Sequence, residues 1–308
     1  MFKNLKNISK SRKKAIISIS AVLFIGIMLS SILLTCANTQ ITDVGKKSSE
    51  TNEEVETFGT DLPLTQSSEV RNPIDIDESS WNNWQWAKSV GICTGSGTEN
   101  DPYVIKDYII DGGNRDDCIN IRNSNKDFII KNCILYNSRF HLEQPEYAGI
   151  SLYNTYNGKI INNYLTLNLA GIELVSCNGG GWDDINLINF NIIHGNKQGI
   201  VLRESSYNNI LMNRISTYQI DAAIYGWYSN ENTIAGNYIN GNYIGIFLYH
   251  SNNIYFREWC LEGEILTIIW GNTIEHNYYG LFLLYSEVQD PSLNTFNNNN
   301  FDLYQYPL

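Results

Sequence analysis

One seven-residue segment returns seven times between residues 118 and 286. It has the form G-I-x-L-x-x-S and reads CINIRNS (118), GISLYNT (149), GIELVSC (171), GIVLRES (199), AIYGWYS (223), GIFLYHS (245) and GLFLLYS (280). A second segment, N-x-I-x-x-N, lies between the copies: NCILYN (132), NYLTLN (163), NIIHGN (191), NYINGN (237) and NTIEHN (272), with NRISTY at 213 ending in Tyr218. Nothing constrains the fold of this chain more, because repeats of this length cannot each enclose a core alone.

The unit is 22 residues, uninterrupted at 149–170 and 223–244. Other starts are 31, 28, 24 and 35 residues apart, so insertions of 9, 6, 2 and 13 residues interrupt the unit. The Ser slot stands eight residues before the first Asn in most copies, but 14 before it from 177 to 191 and 21 from 251 to 272. The 6- and 13-residue insertions therefore fall at one corner and the other two at a second. Alternating Ile and Leu with outward polar or aromatic residues makes half-buried strands three to five residues long. Asn, Gly and Ser bound them and tolerate turn conformations, and no stretch has helical periodicity. Three short strands per coil, stacked so that equivalent strands pair in parallel, hide each coil's apolar face against its neighbours. The expected fold is all-β, a right-handed parallel β-helix of about seven coils, with stacked Asn amides bonding to one another at the corners.

These segments resemble the repeats of NosD-like and carbohydrate-binding or sugar-hydrolase β-helix proteins. The entry GSGTENDPYVIKDYIIDGG resembles the start of many archaeal and bacterial surface β-helix proteins. The resemblance covers roughly residues 73–308 and implies the fold. It leaves activity open, since such repeats serve lyases, glycosidases, adhesins and accessory proteins.

Residues 1–36 hold six bases and no acid, and the remainder carries 15 bases against 32 acids. That acidic body, with no basic stripe, excludes nucleic acid as a partner. The uncharged run AIISISAVLFIGIMLSSILLT (15–35) is long enough to span a bilayer. The bases precede it, so the positive-inside rule places the N-terminus in the cytoplasm and the body outside. The alternatives are a cleaved signal with a secreted body and a lipidated Cys36. Residues 37–72, rich in Ser, Thr, Glu and Asn, read as a disordered linker. Residues 73–117 read as an N-terminal cap and first coil, with Trp81, Trp84 and Trp86, and 118–308 as the repeats. Cys93, Cys118, Cys133, Cys177 and Cys260 lie in the body. Disulfides are permitted outside the cell, and an odd number leaves at least one thiol unpaired.

Stacking turns each repeat slot into a column. Slots 3 and 5 face outward, slot 6 begins the turn, and all three become aromatic in the later coils: Tyr225, Trp227, Tyr228, Phe247, Tyr249 and His250, with Arg203 and Glu204 beside them. Such a patch marks a partner surface or packs beneath the longest insertion. The insertions CNGGGWDD and IYFREWCLEGEIL emerge at one corner three coils apart, roughly 14 Å at the parallel-strand spacing, as two walls of a groove. Polysaccharide and surface protein are the candidate partners. Asp183, Asp184 and Glu204 are the catalytic candidates for a hydrolase, which needs paired carboxyls. A lyase would use Arg203 or Arg257 as base with Ca2+, the one cofactor left open. Copper is not expected: Met212 is the body's single Met, and His141, His194, His250 and His276 occupy different slots. Three functions stand: a membrane-tethered, non-catalytic binder of glycan or protein, a polysaccharide-degrading enzyme, and a surface spacer.

Overall fold

The computed structural model describes residues 69–138, 147–178, 184–218, 221–251, 267–286 and 288–306. The chain divides into two units, Met1–Leu62 and Pro63–Leu308, and all described residues belong to the second. Among these residues, three parallel sheets share the strands in strict rotation. Sheets A and B hold nine strands each and sheet C eight. A coil of the middle of the molecule runs through Gln198–Arg203 in sheet B, Asn209–Leu211 in sheet C and Arg214–Ser216 in sheet A, then climbs to Ala222–Trp227 in sheet B. The chain is an all-β parallel β-helix. Two further rungs flank the seven repeats on sheet B, at Ile74–Asp77 and Phe301–Tyr306.

The first strand of sheet A, Glu69–Arg71, pairs with Tyr108–Asp111. It lies inside the stretch read as linker, so paired structure begins earlier than that polar composition suggests. The apolar run 15–35 lies outside the described residues. Among the described residues no helix is long and apolar enough to cross a membrane. The one α-helix of that region, Trp84–Ser89, is capped by the Asn83 side chain, which accepts from the Trp86 N–H at 3.1 Å. It sets Trp84 into the core, stacked on Tyr103 at 4.8 Å, with its indole N–H donating to Ser124 Oγ at 2.8 Å. Trp81 stays 74 % exposed and meets Trp86 edge-on.

The strands of the repeats turn one or two apolar side chains inward, mostly Ile and Leu. Leu165, Ile193, Ile215 and Ile239 of sheet A meet Ile160, Ile188, Ile210 and Ile234 of sheet C and the Ile–Leu pairs of sheet B, all fully buried. Sheet B has little room where its strands begin. A Cβ on Gly171 would lie 2.5 Å from Ile193 Cγ2 and 2.8 Å from Gly199 O, so this position needs glycine for close approach. The amide columns form as the repeat implies. Asn163, Asn191, Asn213, Asn237, Asn272 and Asn294 are buried at the entry to sheet A. Each Nδ2 donates to the next Oδ1, at 2.8–3.0 Å. Asn186–Asn208–Asn232 and Asn242–Asn277–Asn299 repeat the pattern at other corners. Cys133 and Cys177 take an Asn slot and a Ser slot in the columns: their backbone N–H groups donate to Asn163 Oδ1 and Ser205 Oγ.

Each corner also repeats a left-handed residue. At the end of sheet B the column reads Asn123, Asn154, Ser176, Glu204, Tyr228, His250 and Tyr285, with φ between 45° and 55°. The 6- and 13-residue insertions both leave at this corner, between sheet B and sheet C strands.

Candidate functional site

The outer face of sheet B changes character along the axis. Its register places Ser151, Glu173, Val201, Tyr225, Phe247, Phe282 and Tyr304 in one column. Tyr153, Val175, Arg203, Trp227, Tyr249, Leu284 and Tyr306 form the next. The early part is polar. Arg203 Nε lies 2.8 Å from Glu173 Oε1, and Glu173 is only 7 % exposed. Val201, although it faces outward, is fully buried with Ala148 and Ala170 against Tyr225.

Later rungs are aromatic, and the rings are stacked rather than splayed. Tyr225 stacks on Phe247 at 5.2 Å, Phe282 lies 5.3 Å beyond, and Tyr304 a further 4.6 Å. At the left-handed corner Tyr228, His250 and Tyr285 form a second stack, 4.9 Å apart and tilted by only 12° and 16°. His250 thus has a phenol on each face, and only its ring edge is left for a ligand. Trp227 and Tyr249 differ. Trp227 meets Tyr228 at 85°, and Tyr249 meets Tyr228, His250 and Tyr285 at 78°, 89° and 79°. These two rings, neighbours in register, join no parallel stack along the axis.

Sequence reasoning missed the aromatic corner at the other end of the same strands. Tyr243 stacks on Tyr278 at 5.2 Å, Tyr279 stacks on Phe301 at 5.2 Å, and Tyr218 stands at the equivalent corner. The signal was an Asn-Tyr pair closing the second segment, at 242–243 and 277–278. Asp117 was missed as well. Its Oδ1 accepts the Ala148 N–H at 2.6 Å, and burial pushes its carboxyl up to about 7, with Glu173, Asp116 and Asp75 adding to the rise.

Of the expected carboxylates, Asp183 lies outside the described residues. Asp184 sits at the start of sheet C's side, where its charge, after burial and other neighbours, helps raise Asp127. Glu204 stands in the left-handed column with Tyr228. Of the two insertions, the described residues include 184–186 and 178 at the edges of the first and none from 252 to 266.

A family model described as "Periplasmic copper-binding protein (NosD)" matches residues 142–306, more than half of the chain. The chain belongs to the NosD family. A comparison with curated proteins gave no match. Among solved structures, the NosD chain is similar to the periplasmic alginate epimerase AlgG, with 18 % identity, a TM-score of 0.41, and 65 % of this chain and 44 % of that one covered. It is also similar to the A-module of the Azotobacter vinelandii mannuronan C-5 epimerase AlgE4 (13 %, 0.36, 69 % and 66 %). A complex of XylC with xylose gives 15 %, 0.41, 76 % and 47 %. The chain thus spans less than half the length of AlgG and of XylC.

The family's description names copper, so the donor set can be tested against it. Copper's soft ligands are thiolate, thioether and clustered imidazole. Burial drives the Cys93 thiol up to about 11 and those of Cys118, Cys133 and Cys177 up to about 12, so all four are protonated at neutral pH. None of the four is in a disulfide. Met212 packs where a Cβ on Gly236 would sit. His194 and His276 stand at the ends of sheet A strands three rungs apart, roughly 14 Å at the parallel-strand spacing, and His250 is in the stack. Among the described residues no three His, Cys, Asp or Glu are grouped to hold a metal. The described residues of this NosD chain do not fit a copper site, while His141 and Cys260 lie outside them.

Proposed function

We propose that this NosD-family chain is a non-catalytic, extracytoplasmic β-helix that binds glycan on the aromatic end of sheet B, tethered to the membrane by residues 15–35. The observation that carries the reading is the left-handed corner column. Early coils fill it with Asn123 and Asn154, residues that accept this conformation at little cost. Later coils place Tyr228, His250 and Tyr285 there, although a left-handed conformation costs a bulky residue about 1–2 kcal/mol. Bulky residues take this conformation at other corners too, at Leu167, Phe190 and Met212, so it is the run of stacked rings in three successive coils that points to a use for the side chains. The stacks offset part of that cost and meet Trp227 and Tyr249 with ring planes nearly perpendicular. Their rings give a sugar a flat apolar face with polar tips beside it. A glycan array compares wild type with Trp227→Ala and Tyr249→Ala. Binding to a defined glycan class, lost in both variants, is expected. Wild-type protein that binds no glycan, or variants with an unchanged profile, overturns the reading.

Polysaccharide cleavage is the second reading, and Asp117 favours it: a carboxyl that titrates near neutrality on the face that also bears Glu173 suits general acid–base work. It requires release of reducing or unsaturated ends, lost in Asp117→Asn. Absence of such products with the glycans that bind removes it.

A further inference from the structure

The corner stack ends at Tyr228, and the residue that ends it is an acid. Glu204 occupies the same left-handed slot one rung earlier, with φ 49° against 48° for Tyr228. Its backbone N–H donates to Trp227 O at 2.9 Å, which fixes the two rungs against each other. His250 covers one face of Tyr228 at 4.9 Å. The opposite face looks toward the rung of Glu204, and no ring of the described residues stacks on it. Both residues are exposed. The Glu204 carboxylate has no hydrogen bond or ion pair to another described residue. Arg203, the neighbouring base on this face, is engaged by Glu173. From residue 199 onward the sequence has three bases and ten acids, so a polyanionic glycan gains nothing here from long-range charge.

A carboxylate one rung before an exposed phenol whose far face carries no parallel ring among the described residues, with an indole meeting it at 85°, is the chemistry that recognises an alkylammonium. The cation is attracted to the ring quadrupole and paired by the acid. We propose that Glu204, Tyr228 and Trp227 form a subsite for an ammonium group, protonated as in an amino sugar or quaternary as in choline. The inference rests on the reading of this face as a glycan-binding surface and names what its ligand carries.

Titration calorimetry of the full chain at pH 6 tests it with three probes: a glucosamine tetramer, its fully N-acetylated counterpart, and choline. The glucosamine tetramer is expected to bind about tenfold more tightly than the acetylated one, the scale of a desolvated cation–π contact. Glu204→Gln and Tyr228→Ala should erase that preference, while Tyr228→Phe, which keeps the ring, retains it. Choline binding that depends on Glu204 also supports the subsite, and choline preferred over both tetramers assigns the ammonium to a headgroup rather than an amino sugar. Equal affinity for the two tetramers overturns the subsite and leaves the glycan surface intact. Choline binding without either tetramer overturns the glycan surface alone, and no binding of any probe overturns both.

Discussion

Truncating one amide of the buried column, Asn213→Ala, should be among the most damaging single changes in the molecule. The Asn213 side chain donates through Nδ2 to Ile188 O and to Asn237 Oδ1, both at 3.0 Å. Its Oδ1 accepts the Asn191 backbone N–H and the Asn191 Nδ2, also at 3.0 Å. Asn237 Oδ1 keeps a partner in the variant, because the Asn213 backbone N–H still reaches it at 2.8 Å. The Asn191 backbone N–H and one Nδ2 hydrogen of Asn191 do not, although the other Nδ2 hydrogen keeps Ile160 O at 2.9 Å, and Ile188 O loses one bond. A buried polar group left unpaired costs about 1–3 kcal/mol, so the two donors alone predict a loss of about 2–6 kcal/mol. Asn209→Ala is the control: it lies in the adjacent strand, half-buried on the outer face, and should stay within about 0.5 kcal/mol. Urea unfolding reads both. The midpoint should fall in Asn213→Ala, and a smaller m-value would show the coils separating at the damaged rung. A loss below about 1 kcal/mol in Asn213→Ala would refute the claim that these amides hold the corner.

Asp117 makes stability depend on pH in a stated direction. Its folded value, about 7, lies above the unfolded 3.8, so its contribution is complete below about pH 4 and is lost as pH rises to about 7. At 1.36 kcal/mol per unit the span is at most about 4 kcal/mol, and Asp117→Asn should flatten that part of the stability–pH curve; an unchanged slope would count against the burial. Cys93, Cys118, Cys133 and Cys177 should resist alkylation at pH 8 in the folded protein and react after denaturation, as mass spectrometry of modified peptides will show. Gly171→Ala should destabilise by about 1–3 kcal/mol through overpacking, visible as a lowered urea midpoint. Glu204→Asn relieves the left-handed slot and should raise stability by about 0.5–1 kcal/mol while removing the ammonium preference; a lowered midpoint would show that Glu204 is structural.

The coil was legible because its signals are one-dimensional. Alternation tells inside from outside, and Asn at fixed intervals marks the corners, so Asn163, Asn191 and Asn213 could be aligned by counting. The same counting put Tyr225 and Phe247 in one column. It could not show that those rings stack while Trp227 and Tyr249 turn across them, because ring orientation depends on side-chain torsions and on the left-handed backbone of the next residue. Tyr243 and Tyr278 went unnoticed because they sit just outside both repeat templates. Asp117 was hidden for a similar reason: it precedes its repeat by one position, and its titration depends on burial beside Ala148. Glu69–Arg71 has almost no apolar content, and only its partner strand makes it a strand.

The amide columns have a direction. In three buried columns the amide-to-amide bonds point to the following coil, from Asn163 to Asn294, from Asn186 to Asn232 and from Asn242 to Asn299. The same Nδ2 groups also donate to carbonyls of the preceding coil, as Asn191 does to Ile160 and Asn213 to Ile188. The left-handed columns run the other way, from Asn154 to Asn123 and from Asn162 to Asn132. Buried amides such as Asn191 and Asn213 therefore tie their coil to both neighbours, to the following one through the next Oδ1 and to the preceding one through a strand carbonyl.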